Sequence, residues 1–345
     1  MNMWTPNYPD HRPSTNKRLE AVDHGIVLRH GDGLGRCDVY GARDVWVWEH
    51  DGSYYMHYDA AGDTGWLCAL ATSPDGIHWT KQGAVLELGA PGSEDSKSAS
   101  YGVTFLEAET WHMFYLGTPN TSPAPARVPA FPYLTMKARA TSPKGPWVKQ
   151  PEVVPFRPQA GTHYEDTSSP GQIVRHGAEY LQFFSSSVTV DRTNKRTLAI
   201  ARTKDLNGTW QVDHAPIVSI EEQIENSSLY FEASLQTWFL FTNHVGLEAS
   251  PQDSNDPNGA QGEYTDAIWV YWSQDLNRWS PDHKAVVLDR NNCHWSPKVV
   301  GLPSVLRIAD RLAIYYDGRA ANDTDHVGRD VGLAWLELPL RVPDE

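Results

Sequence analysis

Acidic side chains recur beside small polar and aromatic residues in this chain: Arg43-Asp44 before Val45–Trp48, Glu94-Asp95 with Tyr101, His163-Tyr164-Glu165-Asp166, and Glu225-Asn226-Ser227-Ser228. A fifth stretch, His294-Trp295-Ser296, carries no carboxylate, and Asp325-His326-Val327-Gly328-Arg329-Asp330 adds a late group of cations and acids. Two carboxyl groups held apart in one cleft are what cleavage of a glycosidic bond requires. One protonates the leaving oxygen, while the other activates water on the opposite face, or attacks as nucleophile when the pair is closer. Burial raises the pKa of one member and leaves the other ionised, which separates acid from base. The plainer alternative is that these acids cap turns.

Positioning such residues falls to an internal repeat. A turn ending in Trp recurs as Ser73-Pro74-Asp75-Gly76-Ile77-His78-Trp79, Thr141–Trp147, Thr203–Trp210 and Ser273–Trp279, with a spacing of roughly 60 to 70 residues. Aromatic and β-branched runs align with it: Ser53–Tyr58, Thr110–Tyr115, Glu179–Phe184, Thr237–Thr242 and Arg311–Tyr316. Each run has an upstream partner (Val45–Trp48, Val103–Leu106, Gln172–Val174, Leu229–Phe231, Ser304–Ile308), a third strand downstream, and in places a fourth, as at Ala84–Leu88 and Ala285–Leu288. The pattern predicts an all-β, five-bladed β-propeller filling residues 1–345 as one domain, with blades over about 36–89, 98–156, 165–219, 223–289 and 297–342. The last blade runs out of chain after Leu340, so the N-terminal run Gly25–Arg29 is expected to supply its fourth strand and close the ring. The Trp-bearing turns read as structural, with the indoles packed between blades. In a propeller the first strands start near the axis, which would gather the acidic stretches into one funnel.

Composition narrows the function classes. With 43 acidic against 29 basic residues, a nucleic-acid partner is disfavoured, because phosphate backbones are held by Lys and Arg. Cys37, Cys68 and Cys293 are sparse and lack metal-ligand spacing, so neither a disulfide framework nor a zinc site is expected. No required cofactor is indicated, although a structural cation in the central channel would be compatible. Polar Met1–Glu20 has no apolar leader core and no later stretch is long enough to span a bilayer, which predicts a cytoplasmic protein without membrane contact, secretion staying open if a leader was removed. The 14 Trp and 15 Tyr suit a large β core or a carbohydrate-stacking cleft.

The order Arg43-Asp44, strand, Tyr54-Tyr55-Met56-His57-Tyr58, Ala71–Trp79 resembles the first blade of the five-bladed glycosidases around glycoside hydrolase family 43 and its relatives, and Asp325–Trp335 resembles the last blade of related bacterial proteins. The resemblance spans about residues 36 to 342. It implies a glycosidase in which an Asp of blade one is general base, an Asp of blade two orients the acid, and a Glu of blade three is the acid. Asp44 matches the first role. The second register falls on Tyr101, with Asp95 upstream, and the third on Ser168, with Glu165 and Asp166 just ahead; this marks a divergent subgroup and leaves Asp166 and Glu225 as candidates for the acid.

Arg43, Asp95, Tyr101, Glu165, His326 and Arg329 are the expected polar contacts to a sugar, and Trp46 and Trp295 the expected stacking surfaces, although for any single Trp a core role is more common. Asn255-Asp256-Pro257-Asn258-Gly259 reads as a turn, and Gly31–Gly35 as a loop rather than a nucleotide cradle. The Pro-rich insert Thr118–Tyr133 is too long for a hairpin connection and is expected to form a rim wall that selects substrate. The leading expectation is an inverting hydrolase releasing terminal or short sugar units from plant or algal polysaccharides or oligosaccharides. A phosphorylase using Arg43, His326 and Arg329, and a non-catalytic glycan-binding propeller, are the alternatives, because fold alone does not define function.

Overall fold

The computed structural model describes residues 12–247 and 263–343; the Asn255–Gly259 turn lies outside them. After an N-terminal strand β1 (Val22–Leu28), the chain builds successive antiparallel sets. The first comprises β2 (Gly41–His50), β3 (Ser53–Gly62), β4 (Gly65–Ser73) and β5 (Thr80–Ala84). The second comprises β6 (Ser98–Glu107), β7 (Thr110–Thr118), a small hairpin β8 (Asn120–Thr121) and β9 (Pro129–Ala130), then β10 (Leu134–Ala140) and β11 (Val148–Lys149). The third comprises β12 (Thr167–Ser169), β13 (Ile173–His176), β14 (Glu179–Val190), β15 (Thr193–Thr203) and β16 (Gln211–Val212). The fourth comprises β17 (Ile224–Glu232), β18 (Thr237–Leu247), β19 (Glu263–Ser273) and β20 (Lys284–Asp289), and the fifth β21 (Val300–Ile308), β22 (Arg311–Gly318) and β23 (Asp330–Glu337).

β1 pairs antiparallel with β23, so the N-terminal strand completes the last sheet in the order β21-β22-β23-β1. Residues just before it strap the preceding sheet: Leu19 N–H donates to Val286 O at 2.9 Å and Ala21 N–H to Val287 O at 3.1 Å. This arm covers the edge of β20, which would otherwise present unpaired backbone groups. The outer strand expected at Ala84–Leu88 instead runs over Thr80–Ala84, because both Val85 and Leu86 N–H turn to one acceptor, Cys68 O, and break the ladder.

Apolar residues form clusters shared between successive sets. Trp147 packs with Leu70 and Tyr101, Trp210 with Phe114 and Phe184, and Trp279 with Leu181 and Leu240. Trp79 meets Tyr315 edge-on at 5.8 Å, within a cluster that joins Val45 and Met56 of the first set to Val331 and Leu333 of the fifth. The Trp-bearing turns are thus interface wedges. Their loops are self-capped; in the first, Ser73 Oγ accepts Gly76 N–H at 2.9 Å and Asp75 Oδ1 accepts His78 N–H at 2.8 Å.

Every first strand carries one extra residue near its start. The registers slip between Arg43 and Trp46, Ser100 and Val103, Glu225 and Ser228, and Gly301 and Ser304. Asp44, Tyr101, Asn226 and Leu302 occupy these bulges at φ of 49°, 42°, 62° and 51°. Such a left-handed conformation is costly for side-chain-bearing residues, and bulges of this kind re-aim side chains beside functional sites. In the third set Pro170 takes the corresponding place: Ser169 pairs with Ser185, and Phe183 N–H donates to Gln172 O, three residues against two.

Three of the bulge amides are held by the neighbouring set. Tyr101 N–H donates to an Asp59 carboxylate oxygen, Asn226 N–H to Ser185 Oγ at 2.8 Å, and Leu302 N–H to Asn243 Oδ1 at 3.2 Å. Asp59, Ser185 and Asn243 share one register position, opposite Arg43, Ser169 and Glu225. In the second set that position is Leu116, and the bulge residue it faces in sequence order, Pro170, has no N–H to donate. Asp317 occupies it in the fifth.

Candidate active site

The bulged strand starts converge on one cavity enclosing about 660 Å³, open solvent included. Arg43, Asp44, Tyr101, Ser169, Glu225, Asn226 and Leu302 reach it from the bulges, Asp59 from β3, Arg196 from β15, Glu263 from β19, and His326 and Arg329 from the segment that leads into β23. Val128, Pro129 and Tyr133 of the Pro-rich insert form part of its wall. The insert therefore does reach the rim.

Burial and charge set the electrostatics. Arg43 Nε donates to Asp44 Oδ1 at 2.5 Å, and its Nη1 lies 2.9 Å from His326 Nδ1. Since the guanidinium can only donate, His326 accepts at Nδ1 and is neutral; burial, with Arg329 and Arg43 nearby, holds its pKa well below the usual value. Arg329 Nη1 donates to Asp317 Oδ2 at 2.8 Å. Arg196 is bound to Glu263 through two nitrogens, Nε to Oε1 at 3.2 Å and Nη2 to Oε2, and its Nη1 lies 3.8 Å from Glu225. Burial pushes the Asp44 carboxyl up to about 6; Arg43 opposes the shift and Asp317 adds to it. Burial and then Asp44 raise Asp59 well above the carboxylate range. Ionisation of one of these neighbouring acids opposes that of the other.

Of the residues expected from sequence, Arg43, Asp44, Tyr101, Glu225, His326 and Arg329 meet in this cavity. Five do not. Asp166 lies outside it, its carboxylate accepting from Thr189 Oγ1 at 2.7 Å and Asn194 Nδ2 at 3.1 Å. Glu165 is exposed and accepts Gly161 N–H at 2.7 Å. Asp95 is buried against Lys149 Nζ at 2.5 Å, Tyr115 OH and Ser93 Oγ, where it ties a loop to β11. Trp46 is core, donating from Nε1 to Thr104 Oγ1 at 3.0 Å, and Trp295 donates to Tyr316 OH at 2.7 Å. In each case the polar group is spent on a local partner. Among the described residues no group of three or more His, Cys, Asp or Glu is disposed to hold a metal ion.

Asp59, Arg196, Glu263 and Asp317 are the charged groups that sequence reasoning passed over. Asp59 and Asp317 had a signal, since Tyr58-Asp59 and Tyr316-Asp317 end the same aligned aromatic run. Arg196 and Glu263 had none, standing 67 positions apart in unremarkable strands.

Comparison with known proteins gives likeness at the level of fold. No family model matches, and no curated protein matches. Solved structures do: the complex of BT0996 with RGII aligns at TM-score 0.68 and 13% identity, over 94% of the present protein and 96% of BT0996. The catalytic domain of the Coprinopsis cinerea GH62 α-L-arabinofuranosidase aligns at TM-score 0.62 and 12% identity, covering 92% and 97%. Zg3597, a family 117 glycoside hydrolase of the marine bacterium Zobellia galactanivorans, aligns at 0.60 and 14%, covering 95% and 94%. The protein thus has an all-β fold like that of β-propeller glycosidases.

Proposed function

We infer that this chain is a single-domain, five-bladed propeller, closed by its N-terminal strand, that hydrolyses glycosidic bonds with inversion. The observation that carries the reading is the meeting of Asp44 and Glu225, from bulges far apart in sequence, in one cavity with Asp44 shifted to about 6. Asp44, ionised above that pH, takes a proton from water as the water oxygen bonds to the anomeric carbon. Glu225 donates its proton to the leaving glycosidic oxygen on the opposite face. Glu225 suits the acid better than Glu263, both of whose carboxyl oxygens are already taken by Arg196. Terminal or short units of plant or algal polysaccharides or their oligosaccharides are the proposed substrates, in line with the arabinofuranosidase and family 117 likenesses.

Three arginines and a histidine on the wall also invite phosphorolysis. Against it, Arg43, Arg329 and Arg196 each have a carboxylate within hydrogen-bond reach, in Asp44, Asp317 and Glu263, which leaves little net charge for phosphate. The test is a screen of aryl glycosides and polysaccharides with and without inorganic phosphate. Turnover independent of phosphate that falls about 10²–10⁴-fold in Asp44→Asn is expected, the usual range for a lost acid–base group. Full activity in that variant would sink the mechanism, phosphate-dependent turnover would favour the phosphorylase, and tight glycan binding without product the binding module.

A further inference from the structure

Three arginines line the cavity, each beside a carboxylate, and they do not bind it alike. Arg196 gives two nitrogens to Glu263, Nε to Oε1 at 3.2 Å and Nη2 to Oε2, while its Nη1 has no acceptor. Arg329 gives only Nη1 to Asp317 Oδ2, while its Nε donates to Asp325 O at 3.1 Å. Arg43 gives only Nε to Asp44 Oδ1, while its Nη1 donates to His326 Nδ1 at 2.9 Å. In this cavity a guanidinium that also serves a neutral acceptor thus makes one bond to its carboxylate. The guanidinium without such an acceptor makes the two-bond fork that the shapes of the two groups favour.

The difference falls on the atom that a general base needs. Glu263 has both oxygens occupied, but Asp44 Oδ2 accepts from no donor among the described residues. It is not one of the sealed polar atoms, and with 14% of the side chain exposed it opens on the cavity. Left with Asp44 alone, a guanidinium one residue away is drawn by charge and shape onto both oxygens. The bond from Nη1 to the segment that leads into β23 restrains it, together with the Trp66 ring, whose centre lies 5.5 Å from the guanidinium carbon. A protonated imidazole has no lone pair to offer. Burial, with Arg329, Arg43 and Arg196 nearby, keeps His326 neutral.

We propose that His326 is a positioning residue: by accepting from Arg43 at Nδ1 it holds the guanidinium on one oxygen of Asp44 and leaves Oδ2 to take the proton of the attacking water. This assignment rests on reading Asp44 as the general base. It gives the histidine a role through Arg43 rather than a contact with the sugar. The other groups that set the local field are Asp59, Asp317, Arg329 and Tyr101 around Asp44, and Arg196, Arg329 and the Glu263 backbone around His326. The substitutions that test the proposal leave all of them in place.

His326→Leu removes the acceptor, whereas in His326→Asn the amide Oδ1 stands as many bonds from the backbone as Nδ1 and can accept the same hydrogen. In His326→Leu, Arg43 is expected to close on both oxygens of Asp44. The kcat then falls about 10- to 100-fold, less than for loss of the base itself, with a smaller change in KM. The acid limb of kcat/KM moves to lower pH by about one pH unit, because a second bond from the cation favours the ionised carboxylate. His326→Asn is expected to restore the limb and most of kcat. Equal losses in both variants with an unmoved limb would mean a merely structural histidine and overturn the proposal. Nitrogen NMR of the wild type near neutral pH is expected to show a neutral His326 ring with Nδ1 unprotonated, and a proton on Nδ1 overturns the proposal whether or not the variants fold. Should no glycoside in the panel be turned over, the hydrolase reading fails on its own. Carbon NMR titration of the Asp44 carboxyl in wild type and His326→Leu then decides whether His326 holds the guanidinium off Asp44: a lower pKa in the variant supports it, and an equal or higher one overturns it.

Discussion

At the scale of single residues, Asp44 is governed by competition between burial and Arg43. Burial wins, and the carboxyl ionises near pH 6 rather than at its ordinary 3.8. As general base it must be ionised, so kcat/KM is expected to climb along an acid limb with an apparent pKa of about 6. Asp317 contributes to the upward shift, so Asp317→Asn, whose amide oxygen can still accept from Arg329, should displace that limb to lower pH. A pH–rate profile of both proteins checks this, and an unmoved limb would remove Asp44 from the role. The sign for stability runs opposite to that of an ordinary ion-paired acid. With a folded pKa above the unfolded value, the contribution of Asp44 is complete below about pH 3.8 and is lost as pH rises through about 6. The site is thus least favourable to the fold in the pH range where it would work.

At the scale of elements, the bulge does the positioning. One extra residue per first strand turns Asp44, Tyr101 and Asn226 toward the cavity, and each left-handed backbone is tolerable only because its surroundings over-determine it. The acceptor from the neighbouring set is the visible part of that constraint. Ser185→Ala would strand the buried Asn226 N–H and is expected to cost about 1–3 kcal/mol in urea unfolding. The same change should reduce turnover, since Asn226 adjoins Glu225. Leu116 and Pro170 show the rule by exception, an apolar side chain standing where no N–H exists. The strands and their order were legible in the aromatic runs and Trp-bearing turns. The bulges were not, because an inserted residue preserves the alternating pattern on either side and shows only as a slip between two partners.

At the scale of the whole molecule, ends far apart in sequence lock together. β1 completes the sheet of β23, and residues 17–21 cover the edge of β20, so one short N-terminal stretch holds two sheets at once. Removing residues 1–21 exposes the edge of β20, and removing residues 1–28 also opens β23. The first truncation is expected to lower the melting temperature by several degrees, and the second to give aggregation or loss of cooperative unfolding, as an open edge recruits other chains. Thermal unfolding with light scattering distinguishes them; equal behaviour of the two would mean that β1 closes nothing. The strand that completes the last sheet was legible because the last repeat lacked a fourth member and Gly25–Arg29 had no partner of its own.

Local pattern, read from one dimension, determined the strand runs, the repeat, the interface role of the indoles and the place of Asp44, because each depends on residues a few positions apart. It also brought Glu225 into consideration beside Asp166. Only the tertiary structure separated these two, by giving Asp166 to Thr189 and Asn194 and turning Glu225 into the cavity. It alone joined Arg196 to Glu263 and laid the insert's rings over the guanidinium. A charge carries no local mark of the partner it will meet across a sheet interface, and that partner decides whether it caps a loop, braces a wall or faces a substrate.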